Sequence, residues 1–208
     1  MGMTITRDPH ILELKLVRHA DGLDLDLHPL QGLWTEEQYF ALTNHTNYLI
    51  EYSDGELEVL AAPTSRHQVI LLLLYDLFRA VLHPRGKVLV APLRLQVGSR
   101  KYREPDILML LDATDPRYQD ALWLGADLVI EIVSPDRPER DTEEKPRDYA
   151  AAGISEYWIV NPLSDRISVL ALEGNTCNTT GVFGRGDLAR SMLLEGFTVP
   201  IDAVFDAT

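Results

Sequence analysis

Cysteine is nearly absent: Cys177 is the only one in 208 residues. That excludes an internal disulfide and any cysteine-based zinc centre, and it suits a reducing compartment, so a cytoplasmic protein is expected. Long apolar runs are missing too. The longest, over 69–75, is far short of the ~20 residues a membrane span needs. The N-terminus carries Arg7, Asp8, Glu13, Lys15 and Arg18 where a signal peptide would be apolar, so none is expected. Positive charge is scarce. Nineteen Lys and Arg against 32 Asp and Glu leave a net charge of −13, which argues against wrapping nucleic acid through a large basic surface but allows a local basic patch. There are no internal repeats, no low-complexity segments and no linker long enough to separate a second domain.

What remains is an ordinary globular composition, 46% hydrophobic and 25% charged, in a chain long enough to bury a sizeable core without staples. Residues 1–34 read as an N-terminal arm, in which Leu23, Leu25 and Leu27 alternate with aspartates as in a short edge strand. From residue 35 to 208 the chain reads as a single domain. Thr35 and Gln38 form a capping-box pattern at the start of a short helix reaching about His45. Strands follow over 48–52 and 56–60, joined at Asp54-Gly55, a tight-hairpin signal. Ser65 and Gln68 repeat the capping-box pattern and open the most apolar helix, over 65–82, closed by Pro84 and Gly86. Strands are predicted over 88–95 and 107–111, with a polar loop over 98–103 between them. A further strand runs over 127–134, then a helix from Asp141 or Thr142 to Ala152 with Gly153 as its C′ residue. A strand over 156–160 and accessory strands near 166–172, 176–182 and 197–201 complete the chain. Helices of this length between strands predict a mixed α/β sheet.

Glu131 stands out. It interrupts the apolar run Leu128, Val129, Ile130, Ile132, Val133, and a buried unpaired carboxylate costs several kcal/mol. A metal ion, a lysine or a raised pKa could compensate it. Asp106 opens the preceding strand, and consecutive strands are usually neighbours, so the two carboxylates could converge at one end of the sheet. Hard oxygen ligands suit Mg²⁺ or Mn²⁺. A lysine nearby, such as Lys145, could orient a water or offset charge on a phosphate. These parts suit metal-assisted phosphodiester hydrolysis.

Pro105-Asp106, Glu131-Ile-Val-Ser134, Asp141, Lys145, Tyr149, Gly153 and the run Glu156-Tyr-Trp-Ile-Val-Asn-Pro162, with Asp54-Gly55-Glu56 and Ser65-x-His67 upstream, together resemble the Uma-type bacterial restriction-endonuclease-like family of the PD-(D/E)XK nuclease superfamily. The resemblance runs from about Thr35 to the C-terminus. It implies a core of helix, three strands, helix and strand with N- and C-terminal β additions, and a Mg²⁺- or Mn²⁺-dependent DNA endonuclease. Asp106 and Glu131 carry over as metal ligands. The superfamily lysine normally lies two residues after the glutamate; here that position is Val133, and Lys145 of the next helix is the matching residue. Glu56 carries over as a further ligand or base. A homodimer would let two sites cut two strands.

Each residue also has a plainer reading. Asp106 could merely open a strand, Glu131 could pair with a buried arginine, and Asp141 could cap a helix. Lys145 could be a surface lysine paired with Asp141 at helical spacing, and His67 a capping or core histidine. Arg94, Arg100, Lys101 and Arg103 could form a phosphate-binding rim or a solvated loop. The competing function is a catalytically weak or inactive module on the same fold with a regulatory or binding role. Hydrolysis of a non-nucleic phosphoester would fit the acidic charge but has no motif.

Overall fold

The computed structural model describes residues 26–135 and 137–208, and the backbone of 7–8, 11–12, 15–18 and 23–25. Glu13 and the first six residues, on which the reading of the N-terminus partly rests, lie outside the described residues. The chain divides into two compact units, 1–61 and 62–208.

The first unit is built from local pairings. Strand β1 (Arg7–Asp8) pairs with β2 (Ile11–Leu12), and β3 (Lys15–Arg18) with β4 (Leu23–Asp26), so the alternating leucines do mark a strand. The helix α1 (Glu36–Thr43) opens with the expected capping box, Thr35 and Gln38 each satisfying the other's backbone N–H. Strands β5 (Ile50–Ser53) and β6 (Glu56–Val59) form the expected hairpin. Asp54 and Gly55 both hold positive φ, 50° and 97°, as a tight turn matching the strand twist requires. A side chain at Gly55 would also collide with the Gly32 backbone at 2.5 Å.

In the second unit, α2 (Ser65–Leu82) precedes β7 (Lys87–Val90), β8 (Leu95–Gly98), β9 (Lys101–Arg103), β10 (Ile107–Leu110) and β11 (Leu128–Ile132). A π-helical turn (Arg140–Glu144) leads into α3 (Lys145–Ala151). Then come β12 (Glu156–Asn161), β13 (Arg166–Glu173), β14 (Thr176–Phe183), β15 (Leu188–Arg190), β16 (Thr198–Pro200) and α4 (Ile201–Phe205). Six strands form one sheet in the order β14-β13-β12-β11-β10-β7. Only β11 and β12 run parallel, across the α3 crossover; the other neighbours are antiparallel. The fold is mixed α/β with several sheets.

Both faces of the large sheet are covered, which is why its central strands read as nearly continuous apolar runs. On one face α2 sets Ile70, Leu74 and Phe78 against Ile107, Met109, Ile130 and Trp158. On the other lie Tyr149, Leu108, Val129, Tyr157 and Ile159. Each fully buried side chain of this size is worth roughly 1.5–3 kcal/mol, so the sheet centre is the rigid part of the unit. Among the described residues no helix is long and apolar enough to cross a membrane.

Four local expectations need correction. The strand over 88–95 is broken after Val90, where Pro92 removes a donor, and the polar loop over 98–103 is largely a strand. Lys101–Arg103 pairs back on Leu95–Gly98, around Arg100 at φ 61°. The cap of α2 is Thr64, whose side chain accepts from the His67 N–H at 3.2 Å, so the helix is capped one residue before Ser65. The helix after β11 starts earlier than Asp141. Its backbone is already helical at Pro138, and the Thr142 hydroxyl donates back to the Pro138 carbonyl at 3.0 Å, so neither Asp141 nor Thr142 is the cap.

Candidate active site

Asp106 lies immediately before β10, and Ile107 pairs with Ile130 of β11. The ladder ends at that pair, and Asp106, at a bend just beyond it, turns its carboxylate to the next stretch of β11. Asp106 Oδ2 accepts from the Ile132 N–H at 2.7 Å. The His67 ring, at the first turn of α2, lies 3.2 Å from both carboxylate oxygens through Nε2. Burial alone would lower the His67 pKa. The hydrogen bond to Asp106 and the negative fields of Asp106, Glu131 and Asp141 outweigh it, and the net shift is upward.

Glu131 takes the alternation that sends Val129 and Val133 to the α3 face. Its side chain is 4% exposed. Two donors from the helix meet it: the Lys145 ammonium at 2.8 Å and the Tyr149 hydroxyl, which also donates to Oε1. The compensating group for the buried glutamate is therefore a lysine. Lys145 is no surface residue: 3% of its side chain is exposed, and its second partner is Asp141 Oδ1 at 2.8 Å. Asp141 is itself buried, and its carbonyl accepts from the Tyr157 hydroxyl at 2.7 Å. Burial first, then the fields of Glu131, Asp141 and Asp106, hold the Tyr157 phenol well above its usual pKa, so it remains a neutral donor.

The π-helical turn explains how Lys145 reaches inward although Pro146 follows it. Here the Lys145 N–H reaches back five residues to the Arg140 carbonyl. The widened turn accommodates a proline that has no N–H and would crowd the carbonyl four residues back in a regular helix. Such turns are frequent at functional sites.

The structure thus brings Asp106, Glu131 and Lys145 into one cluster and adds His67, Asp141 and Tyr149 to it. Glu56 lies in the first unit, exposed at the head of β6 opposite Ser53. Lys101 and Arg103 both engage Asp148 of α3, at 2.7 Å from Lys101 Nζ and 3.0 Å from Arg103 Nε. They anchor the helix that carries Lys145. The added residues had faint sequence signals. Asp141 stands four residues before Lys145, and Tyr149 four after it.

The residues that could hold a divalent cation are Asp106 and Glu131. Among the described residues no three His, Cys, Asp or Glu side chains form a ready ligand set. Two carboxylates on adjoining strand ends, completed by water and substrate oxygens, nevertheless fit Mg²⁺, which seldom takes an all-protein cage.

A sequence profile described as "Uma2: Putative restriction endonuclease" matches residues 36–202. The chain belongs to the Uma2 family. It is also similar to a solved structure titled as a "putative nuclease belonging to DUF820" from Anabaena variabilis, at 20% identity and a TM-score of 0.64, covering 76% of this chain and 89% of that one. At that identity the likeness to the Anabaena protein is one of fold. No curated protein matches.

Proposed function

We propose that this Uma2 chain is a divalent-metal-dependent endonuclease that hydrolyses phosphodiester bonds in DNA. The observation that carries the reading is the cluster of Asp106, held on β11 by the Ile132 N–H at 2.7 Å, and Glu131, with the Lys145 ammonium 2.8 Å from Glu131. The run α2, β7, β10, β11, α3, β12, with the first three strands antiparallel and β12 parallel to β11, supports a restriction-endonuclease-like core.

Asp106 and Glu131 would hold the cation, Mg²⁺ or Mn²⁺. When bound, it would polarise the scissile phosphate and lower the pKa of a coordinated water. Asp106 is kept in place by the Ile132 N–H and by His67. Lys145 places a positive charge beside the carboxylates, where it can orient a water or offset charge on the phosphate. Tyr149 fixes the Glu131 rotamer through its hydroxyl. A homodimer is the assembly this reading favours, because two sites can then cut two strands.

Cleavage of plasmid and single-stranded DNA with Mg²⁺ or Mn²⁺, comparing the wild type with E131A, tests the reading. Activity is expected only in the wild type, and equal activity in both overturns the assignment. The same assay with E56Q shows whether Glu56 contributes a further carboxylate. A non-catalytic module on this fold is favoured by one observation, the lack of a ready three-residue ligand set among the described residues. Calorimetry showing no Mg²⁺ or Mn²⁺ binding at millimolar concentration would decide for it.

A further inference from the structure

Lys145 is placed between two carboxylates, and only Glu131 lies on the strand to which Asp106 is hydrogen-bonded. Its Nζ lies 2.8 Å from Glu131 Oε1 and 2.8 Å from Asp141 Oδ1, with all three side chains less than a tenth exposed. An ammonium buried this deeply needs a carboxylate partner, because an unpaired buried charge costs several kcal/mol. A lysine held by Glu131 alone would compete with a cation for the same oxygens. Either the cation would be repelled, or the lysine would be displaced from the place where it acts.

Asp141 offers a second anchor. Its carbonyl is held by the Tyr157 hydroxyl, and the π-helical turn sets its side chain over Lys145 four residues on. It lies on the π-helical turn, neither on β11 with Glu131 nor at the start of β10 with Asp106. We propose that Asp141 is the positioning residue for Lys145, holding the ammonium in the site so that Glu131 can pass from the lysine to a divalent cation. The inference rests on the metal-nuclease reading above. It gives the acidic residues separate roles, Asp106 and Glu131 serving the cation and Asp141 serving the lysine.

The test is a double-mutant cycle read by Mn²⁺ affinity in calorimetry, with D141N, K145M and the double variant. D141N is expected to weaken Mn²⁺ binding about tenfold when Lys145 is present, within the range seen when groups supporting metal ligands are removed. In the K145M background the same change should cost less than about twofold, because no lysine is left to compete. An equal loss in both backgrounds overturns the inference, since Asp141 would then act as a ligand or as bulk negative charge. Failure of the wild type to bind Mn²⁺ overturns the metal-nuclease reading itself, and this inference with it. A second measurement covers the case in which D141N does not fold. The Lys145 ¹⁵Nζ resonance of the wild type, identified by its loss in K145M, is followed during a Mg²⁺ titration. Its persistence at saturation is the expected result, and its collapse into exchange with solvent overturns the proposal.

Discussion

Glu131 and Glu156, two buried acidic side chains on neighbouring strands, differ in their donors. Glu156 is fully buried and receives Trp158 Nε1, the Ser191 hydroxyl at 2.8 Å and the backbone N–H groups of Met192 and Leu193 at 2.6 and 2.8 Å. With so many neutral donors it is a structural carboxylate that ties the 191–194 segment to the sheet. E156A is expected to cost roughly 3 kcal/mol, as removal of a buried charged acceptor does. E156Q should cost less, since its amide oxygen still accepts; urea unfolding midpoints would rank the two. Little of this was legible in the sequence, because an acid at a strand start looks solvent-facing and, Trp158 apart, the donors named come some 35 residues later. His67 carries a pH signature. Its pKa is raised on folding, so its contribution to stability is full below the unfolded value of about 6.5 and is lost as pH rises through the higher folded value. In EDTA the difference in unfolding free energy between wild type and H67Q should therefore shrink from about pH 6 to about pH 9. A difference that is flat or grows would contradict the raised pKa.

At the scale of elements, what the sequence showed well was local. The Thr35 capping box, the Asp54-Gly55 turn and Gly153 after α3, at φ 73°, depend on neighbours within four residues. Two misses were also near in sequence but depended on backbone detail: Pro92 cutting a strand short and the π-helical turn before Lys145. That turn holds one residue more than a regular turn would. Deleting the exposed Thr142 should convert it to α-helix and leave Asp141 and Lys145 three residues apart, still on one helix face. The expected result is a folded protein in which the Lys145–Asp141 contact, 2.8 Å in the wild type, is kept, checked by circular dichroism and a crystal structure. Loss of the contact would show that it depends on the wider turn. The clamp on α3 is a second handle. Arg103 is 7% exposed in its side chain and Asp148 13%. Replacing Asp148 with Ala leaves a buried guanidinium without this partner and is expected to destabilise by about 3 kcal/mol, read by thermal or denaturant unfolding.

For the whole molecule, the deciding facts are charge and the placement of the cluster. Asp106, Glu131, Lys145, Asp141, His67 and Tyr149 all belong to the 62–208 unit. The mixed α/β class could be read from the sequence because apolar runs and helical periodicity alternate along it. The depth of Lys145 could not, because depth depends on what covers a helix face. On the proposed reading as a DNA endonuclease, a net charge of −13 predicts that DNA without metal is held weakly. At about 150 mM salt the dissociation constant is expected in the range of about 10⁻⁴ to 10⁻⁶ M typical of non-specific contacts, with a shallow salt dependence. Fluorescence anisotropy on a labelled duplex in EDTA measures it, and nanomolar binding there would point to an extended basic surface.

The hydrogen bond from the Ile132 N–H to Asp106 Oδ2 has a practical consequence for genetics. The carboxylate ends the β10–β11 ladder by standing in for a backbone carbonyl. An alanine at 106 would therefore strip an acceptor from a strand as well as a charge from the cluster, at an expected cost of about 1–3 kcal/mol. A null phenotype from D106A in cells could then report low abundance. D106N keeps an oxygen for Ile132 while discarding the charge, and it is the allele from which a loss of cleavage can be interpreted.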